Sequence, residues 1–485
     1  MTAANDVAGR QPRRLPVVAA VLAALTLAGA ASVTIHPPAG RPASAALAKE
    51  VDGLPGANST AWFCAGPLPV GVPHEASSLA IANYGSRQAV ATVTIVPASG
   101  AVVTEQVALP AEEESVVGFA ALHVTSSAAA RVVVEGGGVA VAEVVNGPEG
   151  PDEALCRSEA AANQYLAVGS TAARNNLAIA LYDPGATPAV ANVSFATAIG
   201  PQSPPAFQGV LVAAGHVVVL SVAHSLPFRR FISATISSSG GGIVAGALAS
   251  VENKGATLAA LEGAVTAPAT RWFFAAAPAG TAAEQAYDLM NPGSRTADVE
   301  IRLGGPSGVG EITLSLAAGA TTRYVPAAAD WPQAVRWASV TVLDSEPIVA
   351  ARELLIGRAI AALPARGRNA AQRERRARDE LPALPVGYTI TSGAAAARGH
   401  WLIVGGESDR RLSEFVTVTD FSARRATVWI RPLVGSFAGL GPLRVAADGS
   451  LLVDLADLPS AKGRLVLRVT ADAPVVASAE LYLRR

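Results

Sequence analysis

Histidine, glutamate and cysteine are the residues from which chemistry could start in this chain, and their spacing is the first test of what they could do. His216 and His224 stand eight residues apart, but a zinc site needs at least a third protein ligand and none lies near them in sequence. His216 falls in a turn before a strand, and His36, His74, His123 and His400 are scattered through segments that read as loops or strand ends. Glu112, Glu113 and Glu114 offer carboxylates for acid–base work or cation binding. Glycoside hydrolysis needs two such groups at a set separation across a cleft, whereas three in a row at a turn read as a solvated hairpin tip. Cys64 and Cys156 are the two cysteines. Neither sits in a CxxC or beside a histidine that would activate the thiolate, so pairing in a structural disulfide is the simplest expectation for an exported chain.

Other candidates concern binding rather than bond-making. Trp331 and Trp337 form the one aromatic concentration on a predicted loop; they could make a platform for a sugar ring or a partner's hot spot, or cover the end of a core. Arg366, Arg368, Arg373, Arg375, Arg376 and Arg378 crowd a stretch with no apolar period. That stretch reads as a solvated linker, with a basic patch for an anionic envelope polymer or lipid headgroup as the functional alternative. No GxSxG, P-loop, HExxH, EF-hand or dinucleotide fingerprint occurs, so no catalytic, cofactor or metal residues are assigned.

The elements that must hold these residues are strands. With 45 Gly and 33 Pro among 485 residues, 51% of them hydrophobic, the chain suits short strands and many turns and is too apolar to be disordered. A net charge of -1 supplies no field to gather nucleic acid. At the N-terminus, Arg10, Arg13 and Arg14 precede an uncharged run from Leu15 to Ile35, long enough at about 1.5 Å per residue to cross a bilayer core of roughly 30 Å. The arginines should stay cytoplasmic, placing the rest outside. A retained signal-anchor is the leading reading, and a signal peptide cleaved after Ala28-Gly29-Ala30 is the alternative.

Laid against itself, the chain shows four landmarks in one order. An aromatic opens a strand at Trp62, Tyr165, Trp272 and Trp401, at successive offsets of 103, 107 and 129. An alternating strand ends in Asn83, Asp183, Asn291 and Asp420, offsets of 100, 108 and 129. Alternate apolar positions follow at Ala91-Val93-Ile95, Ala191-Val193-Phe195, Ala297-Val299-Ile301 and Ala426-Val428-Ile430, and a closing apolar string aligns on Val141, Val244, Val349 and Val476. Four landmarks in register predict four copies of one unit. In copy one, strands are predicted near Trp62, Leu79, Ala91, Thr104, Ser115, Arg131 and Val139. Seven short strands fit an immunoglobulin-like β-sandwich. The fold class is therefore all-β: four tandem immunoglobulin-like sandwiches after one transmembrane helix. The predicted domains are 1–14 cytoplasmic tail, 15–35 anchor, 36–58 stalk, 59–150, 151–265 and 266–362 the first three repeats, 363–398 the Arg-rich linker and 399–485 the fourth repeat.

The N-terminal helix, "WFCAG" at Trp62, the second cysteine at Cys156, the Asn-Pro-Gly turns and the "PIVA" closing strand resemble a family of actinobacterial secreted or membrane-anchored proteins of unknown function. That resemblance implies an envelope component whose relatives' genes lie among sugar-transfer and cell-wall precursor genes. The expected function is non-catalytic: a membrane-anchored, extracytoplasmic binding or scaffolding component with an envelope protein or glycan as partner. An enzyme or accessory subunit of cell-wall glycan metabolism and a mechanical spacer are the alternatives.

Overall fold

The computed structural model describes residues 50–51, 61–66, 77–135, 138–147, 150–167, 169–253, 256–278, 283–305, 308–326, 335–356, 387–408, 412–435, 437–458 and 463–483. The predicted anchor and cytoplasmic tail, His36, His74, Trp331 and the arginines from Arg366 to Arg378 lie outside them. Among the described residues no helix is long and apolar enough to cross a membrane.

The described chain is nearly all strand, and its antiparallel sheets come in facing pairs. In the first pair an opening sheet orders its strands as Ala61–Cys64, Ala128–Val134, Ala89–Pro97 and Val103–Leu109, and a closing sheet as Glu113–Gly118, Ser77–Asn83, Val139–Gly147 and Gly150–Leu155. The second pair repeats this order, with Asn163–Leu166, Ile232–Ser239 and Ala189–Thr197 in the opening sheet and Val217–Ser221, Asn176–Tyr182, Val244–Asn253 and Ala256–Gly263 in the closing sheet. The third does so with Arg271–Pro278, Val335–Val342, Ala297–Gly305 and Gly308–Leu316 facing Thr321–Tyr324, Ala283–Met290, Val349–Ile356 and Gly387–Ser392. In the fourth pair one strand, Gly463–Leu483, serves both sheets. Its first half pairs with Arg398–Ser408 and Ala426–Val434, its second half with Leu412–Asp420.

The seven strands expected in the first unit are present, and an eighth was not expected. Gly150–Leu155 folds back on Val139–Gly147, so it belongs to the first closing sheet and not to the start of the second unit at residue 151. The corresponding strand of the third pair, Gly387–Ser392, lies inside the range assigned to the Arg-rich linker. Its β-branched "YTIT" takes the ladder position beside Val349–Ile356 because that edge is otherwise unpaired. Glu50–Val51, expected in the stalk, pairs with Arg398–Ser408.

Why the chain is so apolar follows from the faces of these strands. Along Ser77–Asn83 every residue is buried. Leu79 and Ile81 point into the core between the two sheets of the first pair, while Ala80 and Ala82, on the other face, pack against Leu402, Val404, Val434 and Val466 of the fourth pair. A period of two sends large residues to one side and small ones to the other, and the alanines let a second sheet approach closely.

Outer-face contacts also join each pair to the next. The opening sheet of pair one (Val96, Ala129, beside Ala65) meets the closing sheet of pair two (Ala180, Tyr182, Val217, Val244). Ser233 of pair two bonds Thr321 of pair three at 2.8 Å, and Trp337 of pair three meets Phe421, just past the closing strand of pair four. Pair four returns to pair one through the alanines just named. The contacts therefore run one to two to three to four and back to one, a head-to-tail order that closes on itself.

Candidate functional site

The densest collection of buried ionisable groups lies where the pairs meet, around the last strands of the closing sheets. Those strands, Gly150–Leu155, Ala256–Gly263 and Gly387–Ser392, contact one another, and the first and third of them also contact the final strand. Asp152 accepts the backbone N–H of Leu261 at 2.7 Å. Arg157 donates to the carbonyls of Gly263, at 3.0 Å, and Ala264, at 2.6 Å; burial lowers its pKa and the charge of Glu262 opposes that shift. Glu262 in turn accepts both the N–H and the hydroxyl of Ser392. Each bond crosses from one sheet pair to the next.

Two carboxyls in this region, Glu143 and Glu262, have been moved into the range where catalytic acids work. Burial pushes Glu143 up to about 7 although it accepts the Gly66 N–H, and it pushes Glu262 up to about 7 against its bonds to Ser392 and the charge of Arg157. A group poised near neutrality is what general acid–base chemistry asks for, so the space around them decides. Both line a small cavity with Phe63, Gly66, Arg157 and Gly246. It has room for about one water molecule, which is too little for a sugar ring. Gly66 adopts φ +75°, and a Cβ there would lie 2.2 Å from the Ala128 carbonyl oxygen, so this glycine allows the close approach that brings its N–H to Glu143.

A second acidic group sits where pair four closes on pair one. Glu414 is buried and neither of its oxygens has a hydrogen-bond partner; burial holds its carboxyl well above the usual range, reinforced by Glu153 and Glu114. Glu114 pairs with Arg464 of the fourth unit at 3.0 Å, its side chain fully covered. The tip expected to be solvated is therefore a junction for Glu114, because a second sheet lies over it. Among the described residues no three His, Cys, Asp or Glu side chains are grouped to hold a metal ion.

The remaining candidates are placed as follows. Cys64 and Cys156 form a disulfide, tying the first strand of the opening sheet to the end of the closing sheet. Trp337 is not a ligand platform: it is buried, its ring is stacked edge-on with Phe421 at 5.1 Å, Arg302 lies over it at 5.9 Å, and its Nε1 donates to the Asp448 carbonyl. The fourth unit occupies the face a sugar would need. His216 is exposed in a turn, with Nδ1 2.9 Å from the Ala214 carbonyl oxygen, and His224 lies in the last turn of a four-residue helix, Val222–Ser225.

Sequence reasoning passed over the buried ion pairs. Arg352 and Glu480, 128 residues apart, pair between the third and fourth units with both side chains 1% exposed. Arg323 bridges Asp288 and Glu353 at the junction of pairs two and three, where Phe231 lies under its guanidinium. Single charges inside apolar strands are the signal that could have flagged them, since a charge is buried only when it is paired.

A family of unknown function (DUF5719) matches residues 153–359, which takes in pair two and all of pair three but its last strand, Gly387–Ser392. No significant match to a curated protein was found. Among solved structures, a Streptomyces avermitilis alpha-L-rhamnosidase complexed with L-rhamnose is similar at 12% identity and a TM-score of 0.16, over 65% of this chain and 46% of that one. A tetra-tandem repeat from the extending region of a large adhesion protein is similar at 10% identity and a TM-score of 0.10, over 85% of this chain and 96% of that one. The chain thus spans under half the length of the rhamnosidase it matches. At these TM-scores neither likeness carries an argument about fold or activity.

Proposed function

We propose that this chain is a non-catalytic scaffold of the cell envelope, held to the membrane by residues 15–35, in which four immunoglobulin-like sandwiches form one rigid array that presents its loops to an envelope protein or glycan. The carrying observation is that the buried polar groups are used between units: Arg157 to Gly263 and Ala264, Ser392 to Glu262, Arg352 to Glu480, Arg464 to Glu114. Groups spent in this way fix the relative positions of the sheets. The disulfide fits an oxidising compartment. A mechanical spacer is the weaker reading, because units that contact in a cycle cannot add their lengths end to end. An accessory subunit of cell-wall glycan metabolism remains compatible with a scaffold.

The test is cross-linking of the intact protein in its own membrane, followed by mass spectrometry of what is captured. Capture of sugar-transfer or wall-assembly proteins is the expected result. Turnover of an envelope glycan by the purified chain, abolished by Glu143→Gln or Glu262→Gln, would overturn the non-catalytic reading.

A further inference from the structure

The most exposed large apolar side chain among the described residues is Phe228, 76% exposed, and its backbone adopts φ +61°. Bulky residues rarely take left-handed conformations, and one that does points to function when its surroundings hold it there. The surroundings here do so. The Phe228 N–H donates to the Thr171 carbonyl at 2.8 Å, the Thr171 N–H donates to the Arg229 carbonyl, and the Arg229 N–H donates to the Thr171 hydroxyl at 3.1 Å. His123 takes a similar conformation after the short helix of the first unit, where the residue type tolerates it far better.

Phe228 has apolar neighbours. Thr197 pairs with Ile232 and with Gly200, so the hairpin tip carrying Ile199, 68% exposed, stands at the sheet end beside the Phe228 loop. Ser233 bonds Thr321 and Phe231 stacks under Arg323; continuing that antiparallel step brings Val325, 57% exposed, alongside Arg229. Corresponding hairpin tips of pairs one and three carry exposed Val102 and Val309. Among the described residues no carboxylate pairs with Arg229 or Arg230, the carboxylates of Asp288 and Glu353 are taken by Arg323, and that of Glu252 by Arg174.

We propose that Phe228, Ile199 and Val325, with Arg229 and Arg230, are a wedge that seats the array on an anionic lipid surface. Aromatic and aliphatic side chains enter the interface while arginines meet phosphates. The direction of the chain supports a bilayer as the occupant and rests on the anchored reading above. Glu50 pairs with Ile403 and Val51 with Leu402, antiparallel, so the backbone enters Glu50 from the C-terminal end of Arg398–Ser408. In pair two the corresponding strand leads at that same end to Gly169, whose carbonyl accepts the Ile232 N–H beside the Phe228 loop.

The experiment uses the full chain in vesicles of phosphatidylethanolamine and phosphatidylglycerol. Its two native cysteines are bonded to each other, so Phe228→Cys gives one reactive thiol for an environment-sensitive fluorophore, and Leu211→Cys, 63% exposed at the other end of the same sheet, is the control. The label at 228 is expected to shift to the blue and be quenched by doxyl lipids at least twice as strongly as the label at 211. Arg229→Gln with Arg230→Gln should weaken quenching, each arginine being worth about fivefold at an anionic surface. Phe228→Gly, which takes this φ without strain, should melt no lower than the parent while a label at Ile199→Cys loses its quenching. Equal signals at 228 and 211 in a chain that resists carbonate extraction would overturn the wedge. So would protection of 228 only when membrane proteins are added, which would make a protein the occupant. A chain that washes off in carbonate yet is quenched at 228 would sink the anchor and leave the wedge standing.

Discussion

Replacing Asp183 by asparagine alters one end of a buried side chain at a turn that occurs four times, and the four turns supply their own controls. In each, the side-chain oxygen accepts the N–H two residues on: Gly85 to Asn83 at 3.0 Å, Gly185 to Asp183 at 2.7 Å, Gly293 to Asn291 at 2.9 Å and Ser422 to Asp420 at 2.7 Å. The amides do more. Asn83 Nδ2 donates to the carbonyls of Arg87, at 2.8 Å, and Leu109, at 3.0 Å, and Asn291 Nδ2 donates to those of Arg295, at 2.7 Å, and Leu316, at 3.0 Å. A carboxylate cannot donate, and the second oxygens of Asp183 and Asp420 find no hydrogen-bond partner. Asp183→Asn removes a buried unpaired acceptor, costing about 1–3 kcal/mol, and adds a donor that by analogy with Asn83 and Asn291 reaches two carbonyls worth about 1 kcal/mol each. With some loss to imperfect geometry, stabilisation of about 2 kcal/mol is expected. Urea unfolding at neutral pH, with hydrogen exchange at Gly185 and Gly215 as a local readout, measures it. An unchanged or lowered midpoint, or exchange that quickens at Gly185, would refute the reasoning and leave the turn explained by its single accepted bond.

Three further outcomes follow from the buried groups. The carboxyls of Glu143 and Glu262 are raised from 4.5 to about 7; the stability they contribute is fully present below about pH 4.5 and lost as pH rises through about 7, by up to about 3 kcal/mol each. Denaturation midpoints between pH 5 and 8 should fall for the parent and fall less for the Glu143→Gln, Glu262→Gln double variant. Arg352→Met removes the cation paired with the buried Glu480 and should destabilise by about 3–5 kcal/mol, whereas Arg352→Met with Glu480→Leu should recover most of that; equal losses in both would discount the ion pair. Replacing Cys64 and Cys156 by alanine opens a loop with a sequence separation of 92, for which the chain-entropy argument gives a loss of roughly 4 to 5 kcal/mol. Thermal melts with and without reductant check it, and a parent that melts identically in both, with its disulfide reduced, would contradict it.

Period-two alternation made the strands legible, because the direction of a side chain from a strand is fixed locally. Leu79, Ile81, Val93 and Ile95 alternate along their strands and are core residues, and Asn83, Asp183, Asn291 and Asp420, which close their strands, cap the turns that follow, since a cap needs only its own next few residues. The alanines opposite those core residues carried no such label. Ala80 and Ala82 are as buried as Leu79, yet only the arrival of Leu402 and Val404 from more than 300 positions away makes them so. The same holds for Glu114, read as a solvated tip and found under Arg464, and for Trp337, for which a platform and a core cover were both open and which lies against Phe421. What the sequence determined alone was which residues form strands and which face of each belongs to its own core. Which sheet docks on which, and therefore which charges are buried and which aromatics are hidden, was decided by surfaces whose complementarity is shared between distant segments and has no period along the chain.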